Sequence, residues 1–308
     1  MSSAGNASLR HTAVGIRSLA QTNRAEPGKV ATKGPVNKSG PLDRVERDEE
    51  GNRRRIFEEP EPEEGQGEAM AAPSGHRDDA RMFPGEAFRT DARGRQLPPS
   101  YADVDQGNLA DAWLLAACAA VAQAAPVALL RRVRRRSDQE FAVELGADTI
   151  VVTPEFSTEG YADPQPNGQS DTLWVALVEK AYARKEGGSY AHLETGNTGR
   201  ALEALTGQRA QHLTLTEHGS EAKIHARLRE GKRGGAAMVL KTRPGQVTAP
   251  LVADHHFAIL DVIEDKGEKR LRLYNPWGSG GGSRPVASMV HEVPLSVLLK
   301  DGECIDIC

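Results

Sequence analysis

The stretch DVDQGNLADAWLLAACAAVAQA, residues 103–124, decides how this chain folds. Its second half consists mainly of alanine and leucine, which are among the residues with the highest helix propensity. Apolar side chains occur on every side of the predicted helix, a pattern that is typical of a helix surrounded by the rest of the protein. We therefore predict a buried helix over residues 109–125, with the remainder of the fold packed around it.

After this helix the pattern of apolar residues changes from a helical period to the period of two that strands show. Five apolar residues that share one helix face predict a second long helix: Trp174, Leu177, Val178, Ala181 and Tyr182. Shorter helices, each ended by a glycine, are predicted at 199–205 and 221–230, with Gly231 ending the second. Strands are predicted in residues 141–152 and at 236–240, 257–263 and 270–274. Helices first and strands later indicate an α+β fold in two lobes.

The first 100 residues differ in composition from the remainder. They contain no Trp, Tyr or Cys, and an acidic run such as EEPEPEE at 58–64 cannot form a hydrophobic core. We predict a disordered targeting or regulatory tail over 1–100, a helical lobe over 101–215 and a β-rich lobe over 216–308. The first 25 residues carry arginines but no acid, which fits either a plain flexible tail or an address such as an export, packing or transit signal.

The overall charge excludes some classes of partner. The chain has 39 Lys and Arg against 43 Asp and Glu, so it does not create a strong field for nucleic acid or for an anionic membrane. We predict neither as a partner. A run of about 18 apolar residues is absent, and so is an apolar segment near Met1, so neither a membrane-spanning helix nor a cleaved signal peptide is predicted. We expect a cytoplasmic location in the producing cell, with any export following a route without a cleaved signal.

The cysteines do not form a recognisable pattern. Cys118, Cys304 and Cys308 are odd in number and lack the CxxC spacing. This spacing predicts neither a disulfide framework nor a thiolate zinc site, and no metal ligand is predicted from it.

Three short motifs contain side chains suited to catalysis. Gln106 precedes the buried helix, His255–His256 open a predicted strand, and Asn275–Pro276–Trp277–Gly278 follow another. Each one alone has an ordinary explanation as a loop residue, a structural histidine or a turn. Together they meet the needs of Cys-His-Asn chemistry. A glutamine amide donates to an oxyanion, an imidazole acts as the general base, and an asparagine amide fixes the imidazole tautomer.

These motifs resemble those of the calpain family of cysteine proteases. Residues 103–116 are similar to the family's nucleophile segment D-x-x-Q-G-x-L-G-D-C-W-L-L-A. Four further blocks are similar in the same order: LW with EKAYA at 173–183, the stretch 189–207, HHFAILDV at 255–262, and NPWG at 275–278. The resemblance covers about residues 101–308. It implies a two-lobed papain-like fold in which a helical lobe is followed by a β-rich lobe.

The chain departs from the family at the nucleophile. Ala112 stands where the resemblance places the catalytic cysteine, and alanine has no nucleophile. Cys118 cannot replace it, because six positions along a helix correspond to about 9 Å. Either alanine is an engineered replacement that silences a protease, or the protein is a natural pseudoprotease. We favour engineering, because Gln106, His255, Asn275 and Trp277 are all retained.

The resemblance also implies a role for each remaining residue. Gln106 would stabilise the oxyanion, and Asn275 would orient the base. His255 is preferred as the base and His256 is the fallback, because alignment on the following aromatic residue places His255 at the catalytic position. Trp277 would cover the His–Asn hydrogen bond and line the substrate site.

Two neighbouring positions differ from the family. Asp254 replaces the usual glycine before the catalytic histidine, and we expect it to raise the pKa of the imidazole. Gly196 lies in TGNT, where the family has S-G-G-S-T, a backbone edge that binds extended peptide. An ordinary turn glycine is an equal explanation for Gly196.

Calcium binding is only partly supported. Asp103 lies where calpain-like cores carry an acidic ligand, yet NPWG is followed by Ser279–Gly280–Gly281–Gly282 without acids. Because Ca²⁺ requires six or more oxygens, at least one of the two family sites is absent, and no cofactor is predicted with certainty.

We predict a calpain-like cysteine endopeptidase in an inactive form, with a protein or peptide substrate between the lobes. The tail suggests a delivered effector or toxin that engages a secretion or packing apparatus. Alternatives are a pseudoprotease that binds peptides or partner proteins without cleavage, an acyl transferase such as a transglutaminase, and cleavage of the tail in cis.

Overall fold

The computed structural model describes residues 81–107, 109–156, 162, 172–215, 220–278 and 289–308, together with the backbone of two strands, β1 (Asp43–Arg47) and β2 (Arg53–Phe57). Within the described residues, six α-helices and eleven further strands follow along the chain. They are β3 (Arg81–Met82), α1 (Ala112–Ala124), α2 (Pro126–Arg132), β4 (Val133–Arg135), β5 (Phe141–Leu145), β6 (Asp148–Val152), β7 (Glu155–Phe156), α3 (Trp174–Lys185), α4 (Thr198–Thr206), β8 (Gln211–Thr214), α5 (Glu221–Arg233), β9 (Met238–Thr242), β10 (His256–Asp265), β11 (Glu268–Tyr274), β12 (Val290–Pro294), α6 (Leu295–Asp301) and β13 (Gly302–Ile307).

The predicted central helix is confirmed as α1. Every residue of α1 from Ala112 to Ala122 is buried, because its apolar side chains point in all directions and each face meets another element. It packs against α4 on one side and against β9 and β10 on another. Pro126 ends the straight run and opens α2, a position where its missing N–H would have no partner. The helix therefore joins the two halves of the protein.

The first half of the fold contains a sheet as well as helices. Five strands pair in the order β1-β2-β6-β5-β4, with β2 parallel to β6 and the other neighbours antiparallel. The predicted strand runs in 141–152 correspond to β5 and β6. The predicted helix on Trp174–Tyr182 is confirmed as α3, which packs on β5 and β6 and buries both aromatic residues. Helix α2 ends at Arg132, and the chain continues directly into β4 at Val133.

The second half is built on a six-stranded antiparallel sheet. Its order is β12-β11-β10-β9-β13-β8. One face, with Leu240, Phe257 and Ile305, forms its own hydrophobic cluster with α5 and α6. Val239 and Ala258, which belong to the same sheet, join the cluster around α1 instead. This mixture of helices and sheets confirms the predicted α+β class.

Three predicted boundaries need correction. Phe83, Ala87 and Phe88 are buried in the core around α1, so the disordered tail predicted for 1–100 cannot extend to residue 100. Helix α5 continues through Gly231 to Arg233. A Cβ atom at Gly231 would lie 3.6 Å from the nearest side-chain carbons, so this glycine is accommodated inside the helix and does not end it. The lobe boundary predicted after residue 215 falls too late, because Gln211–Thr214 pairs with β13 and so belongs to the second sheet.

No single helix in the described ranges is both long and apolar enough to cross a membrane. Helices α1 and α2 meet that length and composition test only as a pair bent by 116°.

Candidate active site

The nucleophile position lies at the start of α1. Ala112 is the first residue of that helix and is 8% exposed. The first N–H groups of a helix have no partner within it, and the helix dipole places partial positive charge at this end. A thiolate in place of the methyl group would be stabilised here, which is an environment that lowers the pKa of a cysteine. With alanine, the position has no reacting group.

His255 and Asn275 form a buried hydrogen-bonded pair. His255 Nε2 lies 2.9 Å from Asn275 Oδ1, and both residues are buried. The backbone N–H of Trp277 also donates to Asn275 Oδ1, at 3.1 Å, which identifies this atom as an acceptor. His255 Nε2 must therefore carry a hydrogen and donate it. In the neutral imidazole this leaves the lone pair on Nδ1, the nitrogen that can accept a proton from a nucleophile.

Two aromatic rings surround the His255 imidazole. The Trp277 ring lies with its centroid 4.9 Å from that of His255, and the Phe257 ring meets the imidazole edge to face at 5.0 Å. Trp277 is 41% exposed, so one side of its indole lies against the imidazole while the other faces solvent. The structure thus places the Trp277 ring next to the His255 imidazole, and the covering and substrate-binding role predicted for Trp277 stays a prediction.

Burial outweighs the expected effect of Asp254 on the pKa of His255. Burial lowers the pKa of His255 below its ordinary value, and the Asn275 hydrogen bond and the charge of Asp254 oppose that shift without reversing it. Asp254 adopts a left-handed backbone conformation with φ of 48°, which explains why the family pattern has glycine there. The charge of Asp254 does favour a higher pKa of His255, as predicted. The net pKa of His255 is nevertheless lowered, so the prediction of a raised pKa was wrong.

His256 occupies a different environment. It begins β10 and lies opposite Lys241 of β9, while the hydrogen bond to Asn275 is made by His255. Burial, the neighbouring His255 and the charge of Lys241 lower the pKa of His256 to about 4. An imidazole with so low a pKa is a weak base at neutral pH, which favours His255 over the fallback.

Gln106 is held at the junction between the two halves of the site. Its backbone N–H donates to Pro276 O at 2.9 Å, and the neighbouring Val104 O accepts from the Tyr274 hydroxyl at 2.5 Å. The side-chain Nε2 donates to Leu109 O at 2.7 Å and to Asp111 Oδ1 at 3.3 Å, and Oε1 is buried without a hydrogen-bond partner. The glutamine therefore lies beside the His–Asn turn, but its amide hydrogens are directed at the chain preceding α1.

A buried carboxyl pair lies behind the nucleophile position, and sequence reasoning missed it. Asp111, which precedes α1, is hydrogen-bonded to Glu179 of α3, and both are almost completely buried. Burial raises the pKa of Asp111 to about 7, and burial together with the charge of Asp111 raises the pKa of Glu179 well above its usual range. Glu179 also accepts from the Ala162 N–H. The available signal in the sequence was an acid in each of two motifs: Asp111 next to Ala112, and Glu179 in EKAYA.

Gly196 is packed against the indole of Trp113. A Cβ atom at residue 196 would lie 2.1 Å from Trp113 Cε2, a distance that no side chain can occupy. The indole N–H of Trp113 donates to Leu193 O at 2.7 Å, which fixes the ring against this loop. The close approach requires a glycine whether or not the loop binds peptide, so the substrate-binding role of Gly196 stays a prediction.

Asp103 serves as an internal hydrogen-bond acceptor. Its Oδ2 accepts from the Ser100 N–H at 2.8 Å and from the Trp174 indole at 3.0 Å, and its Oδ1 pairs with Arg89 at 3.0 Å. Burial raises the pKa of Asp103 despite these partners. Because both oxygens already contact donors and one of them contacts a cation, this carboxylate does not fit a calcium ligand.

Comparison with known proteins identifies the family. The sequence profile described as "Calpain family cysteine protease" matches residues 96–282. The chain is 26% identical over 193 residues to the calpain-type cysteine protease DEK1 of Zea mays, covering 58% of this chain and 9% of that protein. It is 32% identical over 198 residues to calpain-8 of Rattus norvegicus, covering 57% of this chain and 28% of that protein. The matched region is thus a small part of these relatives.

The chain is also similar to solved structures, one of which is a cysteine protease. Interpain A of Prevotella intermedia, a cysteine protease, is 13% identical, with a TM-score of 0.32 over 77% of this chain and 97% of that chain. The assignment to a family therefore rests on the sequence profile. That profile spans more than half of the chain and includes all of the candidate site residues, and the chain belongs to the calpain family of cysteine proteases.

Proposed function

We propose that this fold is a calpain-like cysteine endopeptidase whose chemistry requires a cysteine at position 112, and that the chain with Ala112 is inactive. The observation that carries the proposal is the buried His255–Asn275 pair, with Nε2 donating and Nδ1 left as the base. A neutral, oriented imidazole is what a thiol nucleophile requires. A buried His–Asn pair is not needed for packing alone, because a hydrophobic pair would fill the same space without buried polar groups.

The proposed reaction follows from this geometry. The thiol at position 112 gives its proton to His255 Nδ1, and the thiolate attacks the scissile carbonyl carbon. The resulting oxyanion accepts hydrogen bonds from the Gln106 amide and from the N–H groups at the start of α1. The imidazolium returns its proton to the leaving amine, and a thioester forms. Water, deprotonated by His255, then releases the acid and regenerates the thiol.

Gln106 has to reorient for this reaction. Its amide hydrogens are directed at Leu109 O and Asp111 Oδ1, so a productive oxyanion hole requires rotation of the side chain toward the carbonyl. Apo geometry of this kind does not exclude a residue from catalysis, because catalytic contacts often tighten only with substrate bound.

The test is to introduce the nucleophile. Ala112→Cys is expected to cleave casein and to react with an epoxide thiol trap, giving one added label at position 112 by mass spectrometry. Ala112→Ser, which has a similar volume but no thiol, is the matched control and should be unlabelled. His255→Ala in the Ala112→Cys background should abolish cleavage. No cleavage and no labelling by a folded Ala112→Cys protein would contradict the proposal.

A natural pseudoprotease is the second candidate, and Ala112 itself favours it. In that case the cleft binds an extended peptide or partner protein and releases it intact. Binding of a casein-derived peptide by the unaltered chain, with no cleavage by Ala112→Cys, would support this reading. The residue encoded at position 112 in the source genome separates a natural alanine from an engineered one.

Other uses of the same triad are open to direct tests. Incorporation of an amine into casein by Ala112→Cys, without peptide cleavage, would indicate acyl transfer. Cleavage of the chain itself would show by mass spectrometry as loss of N-terminal residues. We further propose that the N-terminal tail, most of which lies outside the described residues, carries the protein to a secretion or packing apparatus as a delivered effector or toxin. Export of a reporter fused to residues 1–100, without cleavage, would test that role.

A further inference from the structure

Strands β8 and β13 bring together three side chains that the candidate active site does not use. His212 on β8 lies directly opposite Asp306 on β13, and His212 Nδ1 is 2.8 Å from Asp306 Oδ1. Cys304 lies two residues before Asp306 and therefore on the same face of β13. A ring nitrogen of His212, the sulfur of Cys304 and a carboxylate oxygen of Asp306 all lie within 4.8 Å of one another.

We propose that His212, Cys304 and Asp306 bind a divalent transition-metal ion, for which zinc is the best chemical match. Imidazole nitrogen, thiolate sulfur and carboxylate oxygen are the three ligand types that zinc uses in proteins. Bond lengths of about 2.0–2.3 Å place the ligand atoms of a tetrahedral complex about 3.3–3.8 Å apart. The three atoms therefore need only small side-chain rotations to bind an ion. Calcium and magnesium, which require all-oxygen sites, do not match this set.

Exposure at this cluster allows an ion to enter. Cys304 is 5% exposed and Asp306 is 7% exposed, whereas the His212 side chain is 58% exposed. An ion can thus approach past His212 and reach two buried ligands. Three protein ligands leave the fourth tetrahedral position to water.

The surrounding charges do not oppose a cation. Lys241, which lies opposite Cys304 on β9, has its ammonium 3.0 Å from a carboxylate oxygen of Glu303 and 3.8 Å from one of Asp254. Its positive charge is therefore matched by acids, and Asp306 adds a further negative charge. A cross-strand His–Asp pair stabilises a sheet by itself, but the adjacent thiol supplies a ligand that such a pair does not need.

The location suggests a structural role for the ion. A Cβ atom on Gly199 would lie 3.6 Å from Asp306 Oδ1, so the first turn of α4 packs beside the cluster. An ion here would link β8 to β13, both in the second half of the fold, at a point next to α4 of the first half. This inference is independent of the proposed protease activity, because none of its ligands belongs to the candidate active site.

The test uses the full chain with Ala112. Titration with Co²⁺ should give one equivalent of a species with tetrahedral d–d bands and a thiolate charge-transfer band in the near ultraviolet, and Zn²⁺ should displace it. Zn²⁺ should also raise the Tm, because an ion that binds only the folded state stabilises it. Failure to bind one equivalent of either ion by titration calorimetry would overturn the proposal.

Variants identify the ligands. Cys304→Ser should abolish the charge-transfer band, and His212→Ala and Asp306→Asn should each weaken Zn²⁺ binding by at least about tenfold, since even the loss of an outer-shell partner costs that much. Cys308→Ser, a second cysteine at the same end of the chain, and His192→Ala, an exposed histidine, are the matched controls and should bind normally. If Cys304→Ser fails to fold, the His212→Ala variant provides the test, because the His212 side chain is exposed. Unchanged Zn²⁺ affinity in His212→Ala would overturn the assignment.

Discussion

Asp111 and Glu179 form a buried carboxyl pair directly behind the predicted nucleophile position of this protein. Asp111 precedes α1, Glu179 lies on α3, and neither side chain reaches solvent. Burial raises the pKa of both acids, and the charge of Asp111 raises that of Glu179 further, so Glu179 is the acid of the pair that favours the protonated form. Asp111 in turn accepts from Gln106. The pair therefore connects the buried core to the proposed oxyanion residue.

The carboxyl pair should make stability fall as pH rises. The pKa of each acid is raised in the folded state, so between about pH 4 and pH 7 the folded chain binds protons that the unfolded chain has released. Each such proton lowers the free energy of unfolding by about 1.4 kcal/mol per pH unit. We expect Glu179→Gln to reduce this slope by about one proton, as measured by urea unfolding at several pH values.

An exposed acid provides the control for this experiment. Glu140→Gln removes a carboxylate from the surface, and its pH dependence should match that of the parent chain. If Glu179→Gln and Glu140→Gln both gave the same slope as the parent, the raised pKa of Glu179 would be contradicted.

The two adjacent histidines should titrate differently. His255 should show a midpoint below about 6.5 by NMR, and His256 a midpoint near 4. Asp254→Asn should lower the His255 midpoint further, because the charge of Asp254 favours the imidazolium. Ala112→Cys should raise it, because a neighbouring thiolate also favours the imidazolium. A His255 midpoint that responded to neither change would argue against the proposed triad.

The elements that could be predicted from the sequence depend only on residues that are close together in the chain. Helix α1 and helix α3 follow from composition and period, and Gln106, His255 and Asn275 were identified from short motifs that the structure places around one turn. A spacing pattern is enough for these, because each depends on neighbours within one helix or one strand end.

Contacts between distant segments could not be predicted in this way. The Asp111–Glu179 pair depends on how α3 packs on α1, and the His212–Asp306 pair depends on the register of β8 against β13. Gly231 shows a different error. The sequence pattern predicts that the helix ends at this glycine, but the helix continues past it and packs against the end of β13. In each case the deciding interaction is tertiary.

Two glycines should respond in opposite directions to a methyl group. Gly196→Ala would place its Cβ inside the Trp113 ring and should lower stability by about 1–3 kcal/mol. Gly231→Ala adds a methyl group to a helix interior with ordinary contacts of 3.6 Å, and should raise stability by about 0.5–1 kcal/mol. Each variant is the control for the other in thermal unfolding. Equal effects would show that the close approach of Gly196 to Trp113 is not present in solution.

Asp103 should stabilise the fold without calcium. Its carboxylate binds the Ser100 N–H, the Trp174 indole and Arg89, so removing its charge weakens two hydrogen bonds and the ion pair with the half-buried Arg89 guanidinium. We expect Asp103→Asn to lower the free energy of unfolding by about 1–3 kcal/mol, equally with excess calcium and with a chelator. Asp138→Asn, at a fully exposed acid, should have no effect in either condition. A Tm of the parent chain that rose with calcium, and lost that rise in Asp103→Asn, would instead make Asp103 a calcium ligand.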